Sequence, residues 1–308
     1  MDNNQLLQKL KDELINYDRN KSTVNTYLTI AQNFLKSLKN KEFTDSDAIA
    51  YLARLREKGL ADNSIRFSHY ALRRLFVANK IEFSKRPPPI KTVNKPYFLE
   101  DEIQKLIKNA KEFCDEQQKA FLVMSTVYGL RRGEIPKIFK EHINSEDREI
   151  TRNITIKMEV KENDKIKEKE IMQKEIFPPH SIFISTEKGG IQRPQFIPEN
   201  LRKYIYNYNW DYELSKATMS ALFYIILDKC RFKVEDLPKH SGWHMMRRSA
   251  VTYLMQAKVN PISLSRFMRW KSQTTVPGAS PMIAIYDRTE GIIADKDVLQ
   301  IHPFLGLW

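Results

Sequence analysis

Thr126-Val-Tyr-Gly-Leu-Arg-Arg-Gly-Glu-Ile135 is the first of four short stretches that have to be taken together. His244-Met-Met-Arg247-Arg248 follows, then Arg269-Trp270, then Tyr286 within Ser280-Pro-Met-Ile-Ala-Ile-Tyr-Asp-Arg288. Phosphate chemistry gives these residue types a reason to converge. Two guanidiniums fork onto the non-bridging oxygens of a phosphodiester. A His stands where a proton must move, and a phenol supplies a nucleophile. Any one of the stretches is weak evidence by itself. Four in this order are strong evidence.

The ordered set resembles the tyrosine recombinase (phage integrase) family, whose signature runs T-G-L-R-x-x-E-L, then H-x-L-R, then G-H or G-W, then Y. The resemblance implies a mainly α fold with a small antiparallel sheet in the C-terminal domain (α+β), the two domains closing round DNA as a C-shaped clamp. It implies a site-specific recombinase acting by transesterification, with no metal, ATP or other cofactor. Tyr286 would attack the scissile phosphate, forming a 3′-phosphotyrosine and freeing a 5′-hydroxyl. Arg131 and Arg247 would stabilise the pentacoordinate transition state. His244 would accept the proton or position an oxygen, and Trp270 would support the nucleophile. A Lys on a β-hairpin would protonate the leaving oxygen. The implied partners are double-stranded DNA and three further copies of the chain, with no membrane and no small-molecule substrate. A type IB topoisomerase shares the chemistry, and a catalytically silent DNA-binding protein would share the fold.

The residues also carry readings of their own. Gly129 lets the backbone turn tightly, so that Arg131, expected at a helix start, points into a cleft. Glu134 is three residues on, on the same helical face, and fits a role in holding the guanidinium. His244 and Arg247 are spaced i, i+3 behind Ser241-Gly242, so both project from the first turn of a helix, whose N–H groups attract phosphate. Trp270 ends an expected helix Pro261–Trp270; its indole donates a hydrogen bond but exchanges no proton. Tyr286 follows a Ser280-Pro281 helix start, sixteen residues past Trp270 where the family has about nine. For the acid, Glu187-Lys188-Gly-Gly-Ile-Gln-Arg193-Pro-Gln-Phe-Ile-Pro198 resembles the family's hairpin and favours Lys188. Spacing from Arg131 favours Lys161.

The rest of the chain fits a DNA partner. Its formal charge is +13 in 308 residues, and the distribution is uneven. Residues 1–95 hold 18 Lys and Arg against 10 Asp and Glu, and the remaining 213 hold 33 against 28. A surplus gathered in one segment points to a polyanion. No run of about 18 apolar residues is present, and Met1-Asp-Asn-Asn-Gln has no signal-peptide character. Cys114 and Cys230 make no disulfide framework, which fits a reducing intracellular setting.

Residues 1–84 are expected to form a helical core-binding domain. Its helices are expected over Ser22–Leu35 behind a Ser/Thr cap, from Thr44 to Gly59, and from a cap at Asn63-Ser64. On the last of these, Arg66, His69, Arg73 and Arg74 are expected opposite the apolar face. Lys85-Arg-Pro-Pro-Pro-Ile-Lys-Thr-Val-Asn-Lys-Pro96 is the linker, because three consecutive prolines cannot continue a helix. Residues 97–308 are expected to form the catalytic domain, with helices at Leu99–Ile107 and Gln118–Val127. A strand alternates through Ile154, Ile156, Met158 and Val160, and Glu159–Lys174, dominated by Lys and Glu, is expected as a solvated projection or a flexible hairpin. A hairpin is expected from His180–Thr186 to Arg193–Pro198, with helices onward from Glu199. The apolar tail Val298–Trp308 is expected to dock on a neighbour or on its own domain.

Overall fold

A computed structural model of the chain describes residues 2–17, 20–38, 42–89, 95–162, 165–186, 190–211, 214–238, 241–270 and 291–308, with backbone alone for 157–162 and 165–168. The chain divides into two compact units, residues 1–94 with 155–171, and residues 95–154 with 172–308. It is mainly helical, and a small antiparallel sheet lies in the second unit.

The first unit packs α1 (Asn3–Asn16), α2 (Lys21–Ser37), α3 (Asp45–Glu57) and α4 (Asp62–Ala78) around one apolar core. Leu10, Leu14, Phe34, Leu72, Leu75 and Phe76 fill its centre. Helix starts follow local hydrogen bonding. At α3, Thr44 and Asp47 cap each other's backbone reciprocally, satisfying donors that would otherwise lack partners. At α2 the cap is Asn20, whose Oδ1 accepts the Thr23 N–H at 2.8 Å, not the Ser and Thr behind it. At α4 the helix begins before the expected Asn63-Ser64, with Ala61 as an N-cap that offers no side-chain bond.

The basic residues of α4 do not form one exposed face, as the sequence suggested. His69 is fully buried, and its Nε2 lies 2.7 Å from the Lys85 carbonyl. Arg66 reaches the Pro88 carbonyl and Tyr70, and Arg74 pairs with Glu13 at 3.2 Å over the Tyr17 ring. These cations fasten α4 to its neighbours and to the start of the proline segment. Arg73 alone of the four is exposed.

The second unit opens with α5 (Glu100–Phe113) and α6 (Glu116–Thr126). A three-stranded sheet of order β1 (Ile143–Asn144), β4 (Ser181–Ile184), β5 (Arg193–Phe196) follows, antiparallel throughout. Ser181 faces Phe196 and Ile184 faces Arg193. Strands β2 (Ile150–Glu162) and β3 (Lys165–Phe177) pair with each other, so the Lys- and Glu-rich stretch is a long hairpin. Helices α7 (Glu199–Tyr206), α8 (Lys216–Lys229), α9 (Trp243–Gln256), α10 (Pro261–Phe267) and α11 (Gly291–Gln300) complete the unit.

The tail docks on its own unit. Trp308 is buried, its indole N–H donates to Thr126 Oγ1 at 3.2 Å, and its ring meets Tyr204 edge-on. Cys114 and Cys230 are free and buried, with Sγ atoms 3.8 Å apart. Among the described residues, no helix is long and apolar enough to cross a membrane.

Candidate active site

Helix α6 delivers the chain to Gly129, whose φ is +59. A Cβ there would lie 2.5 Å from Met268 Cε and 3.5 Å from Arg247 Cγ. The turn therefore brings the backbone against two later segments at once. Arg131 does not begin an α-helix, as the sequence suggested. Residues 132–134 form a turn that runs into a single 3-10 turn, Ile135–Lys137. Backbone hydrogen bonding makes that turn tight, because Glu134 N–H donates to the Arg131 carbonyl at 2.9 Å. The Glu134 carboxylate folds back to accept the Arg131 N–H at 2.8 Å and the Arg131 Nη1 at 2.5 Å. Glu134 is fully buried, while the Arg131 side chain keeps 18% of its surface open.

Arg247 comes from the second turn of α9 and is buried. Its Nη1 donates to the Gly129 carbonyl and its Nη2 to the Met268 carbonyl at 3.0 Å. Arg269 is the largest fully buried side chain, and its Nη2 lies 3.7 Å from Glu134 Oε2. Burial, then the charges of Arg269 and Arg131, lower the Arg247 pKa to about 9, against the pull of Glu134. Burial likewise lowers Arg269 to about 10, with Glu134 opposing. Burial pushes the Glu134 carboxyl up, but Arg269, the Arg131 backbone N–H and the Arg131 and Arg247 charges outweigh it, leaving it below its ordinary value. Two guanidiniums thus face the Glu134 carboxylate, and the charge of the buried Arg247 acts on it as well. An anion entering beside Arg131 would meet uncompensated positive charge.

His244 is exposed on the first turn of α9, one residue after Trp243, whose buried indole donates to the Met219 carbonyl at 2.5 Å. The two members of the His-x-x-Arg pair therefore differ: the His faces outward and the Arg is sunk beneath it. Trp270 is half-buried against the core. The expected helix Pro261–Trp270 is shorter than its pattern, because α10 stops at Phe267. Arg269 N–H then donates to Arg266 and Trp270 N–H to Ser265, both at 3.0 Å, with Arg269 at φ +58. This is the paired closure that ends many helices through a left-handed residue. It places Trp270 two residues past the helix cap.

Lys188 and Tyr286 lie outside the described residues, and Lys161 is described by its backbone alone. Their flanks are placed. Ile191 N–H donates to the Arg269 carbonyl at 3.1 Å, and Gly291 packs beside the Arg193 guanidinium. Among the described residues, no three His, Cys, Asp or Glu side chains gather as metal ligands.

Several residues around the cluster were not singled out in the sequence. Arg193 grips Asp295 of α11 through two bonds of 2.8 and 2.5 Å. Gln195 donates to the same carboxylate at 3.2 Å and to the Phe267 carbonyl at 2.9 Å, and accepts from Arg269. A signal existed for Asp295, since a carboxylate beside Ile292-Ile-Ala294 on an inner helix face demands a cation.

No family model matches the sequence, and no curated protein matches it. Solved structures do. A lambda integrase (75–356) dimer bound to a COC′ core site aligns with a TM-score of 0.61 at 14% identity, over 90% of this chain and 98% of that one. The Tn1549 transposon integrase in complex with a circular intermediate DNA aligns at 0.59 and 17%, over 92% and 99%. A lambda integrase tetramer bound to a Holliday junction aligns at 0.60 and 15%, over 88% and 75%. The chain has the tyrosine recombinase fold.

Proposed function

We propose that this chain is a site-specific DNA recombinase that cuts and rejoins DNA through a 3′-phosphotyrosyl intermediate. The observation that carries the reading is that Arg131 and Arg269 meet on the buried carboxylate of Glu134, with the buried Arg247 guanidinium held beside them by the Gly129 and Met268 carbonyls. Such a surplus of fixed donors suits a phosphoryl transition state, whose charge grows on non-bridging oxygens. In this reading Arg131 and Arg247 bear on the phosphate, Arg247 also holding the Gly129 turn. His244, outward on a helix N-terminus, accepts the phenol proton or positions an oxygen. Tyr286 is the nucleophile, Lys188 the acid on the leaving 5′-oxygen, and Trp270 the buttress. Residues 1–84 hold the DNA, residues 85–96 link, residues 97–308 carry the chemistry, and four copies work together on two duplexes.

Trapping tests this directly. A nicked suicide duplex should leave a denaturant-resistant protein–DNA adduct with the native chain and none with Tyr286→Phe. The substitution removes one oxygen and leaves the basic surface intact, so duplex affinity should not change. An adduct that persists in Tyr286→Phe would sink the assignment of the nucleophile.

A further inference from the structure

Arg269 is an expensive residue where it stands. A left-handed backbone is unfavourable for a residue with a Cβ, and the helix-closing position it fills is ordinarily glycine. Its guanidinium is also fully buried, which is unfavourable unless well paired. Packing alone does not account for this, because an apolar side chain would fill the volume without a charge to desolvate. Its bonds suggest a purpose. Nη1 donates to Gln195 Oε1 and to the Phe267 carbonyl at 3.1 Å, Nη2 donates to the Tyr128 carbonyl at 3.3 Å, and Nη2 faces Glu134 Oε2 at 3.7 Å. The same Oε2 accepts the Arg131 backbone N–H, and its twin Oε1 accepts the Arg131 guanidinium.

The carboxylate of Glu134 is therefore shared, with Arg131 on its open side and Arg269 behind it. We propose that Arg269 is a positioning residue for phosphoryl transfer: it fixes the Glu134 carboxylate from inside the protein, and Glu134 in turn fixes Arg131 on the phosphate. This deepens the recombinase reading and rests on it. The arrangement makes the charge of Glu134, and with it the hold on Arg131, depend on the buried arginine.

The test compares Arg269→Met, Arg269→Lys, Glu134→Gln and the Arg269→Met/Glu134→Gln double variant with the native chain. Single-turnover adduct formation is followed on a suicide duplex across mildly acid to neutral pH, beside duplex affinity and thermal stability. Arg269→Met should cleave on the order of 10²-fold more slowly, as expected for a displaced catalytic group, with duplex affinity little changed. Its defect relative to the native chain should deepen as pH falls, because Glu134 without Arg269 takes up a proton more readily, whereas any dependence that His244 gives is common to both chains. The double variant should be no slower than Glu134→Gln alone, since both changes break one chain of contacts. Arg269→Lys keeps the charge but not the fork, and should show a smaller loss with a pH profile parallel to the native one. Multiplicative defects in the double variant, or a pH profile for Arg269→Met parallel to the native one, would overturn the proposal. If Arg269→Met does not fold, native rates in Arg269→Lys would overturn it instead. Should the native chain form no adduct with any duplex, the recombinase reading fails separately. The positioning claim is then decided by side-chain NMR of ¹⁵N-arginine protein: restricted rotation of the Arg131 guanidinium must be lost in Glu134→Gln and in the Arg269 variant that folds, and its persistence there rejects the claim.

Discussion

At Gly129 the need for glycine is conformational before it is steric. The nearest atom to an added Cβ is the Met268 methyl, at 2.5 Å, and that flexible end can swing aside. The φ of +59 cannot change without moving the carbonyl that accepts Arg247 Nη1. Gly129→Ala should therefore cost about 1–2 kcal/mol from the backbone alone, read as a shift in urea midpoint. It should also slow cleavage, and Met268→Ala in the same chain should recover little of the stability. His302 gives a pH test of a different kind. Its Nε2 lies 3.1 Å from the Val127 carbonyl, and its Nδ1 accepts the Phe304 N–H at 3.2 Å, a set that fits the neutral ring. Burial lowers its pKa to about 4, against hydrogen bonds that raise it. The unfolded chain, with His near 6.5, then binds the extra proton first. The neutral ring costs nothing above pH 6.5, and stability falls as pH drops from 6.5 towards 4. The total is ~3 kcal/mol at about 1.4 kcal/mol per pKa unit. His302→Gln should flatten that limb when unfolding free energy is compared with the native chain at each pH, and an unchanged slope would assign the acid sensitivity to other groups.

Elements were legible where one period dominated. Val24, Ala31, Phe34 and Leu35 mark α2, and the alternation from Ile154 to Val160 marks β2, because in each case one face is apolar over several turns or pleats. Ends were less legible, since a competing hydrogen bond decides them. Asn20 outbids the Ser and Thr after it, and the left-handed Arg269 stops α10 three residues early. The two-residue strand β1 was invisible, being too short for any period. The pairing of Arg131 with Glu134 lies within reach of local spacing, whereas Arg269 with Glu134 joins segments far apart in sequence. The two hairpins supply a test at this scale, for the acid is expected on one of them. Replacing the acid with Ala should slow cleavage of ordinary DNA by about 10²–10⁴-fold. A bridging 5′-phosphorothiolate leaves without a proton and should rescue only that variant. We expect rescue for Lys188→Ala and little defect for Lys161→Ala. The reverse result would move the acid to β2.

Over the whole molecule, charge decides how the chain meets its partner. The formal charge is +13, and residues 1–95 carry 18 basic against 10 acidic side chains. Part of that surplus is committed internally, as in Arg66, Arg74 and the buried Arg247 and Arg269. The cations left at the surface can displace counterions from a duplex, each phosphate contact adding about 0.9 to the slope of log affinity against log salt. A protein making roughly 6–10 such contacts loses about 10³–10⁵ in affinity between 50 and 200 mM salt. We expect a slope of that size for the native chain, measured by fluorescence anisotropy on a duplex of random sequence. Arg73→Ala, which removes an exposed charge from α4, should reduce the slope by about one contact. Arg74→Ala should leave the slope alone and lower stability instead, because its guanidinium is engaged with Glu13 and Tyr17. If Arg74→Ala changes the slope and Arg73→Ala does not, the DNA-facing side of α4 is the one held here by Glu13, and that ion pair must open for binding.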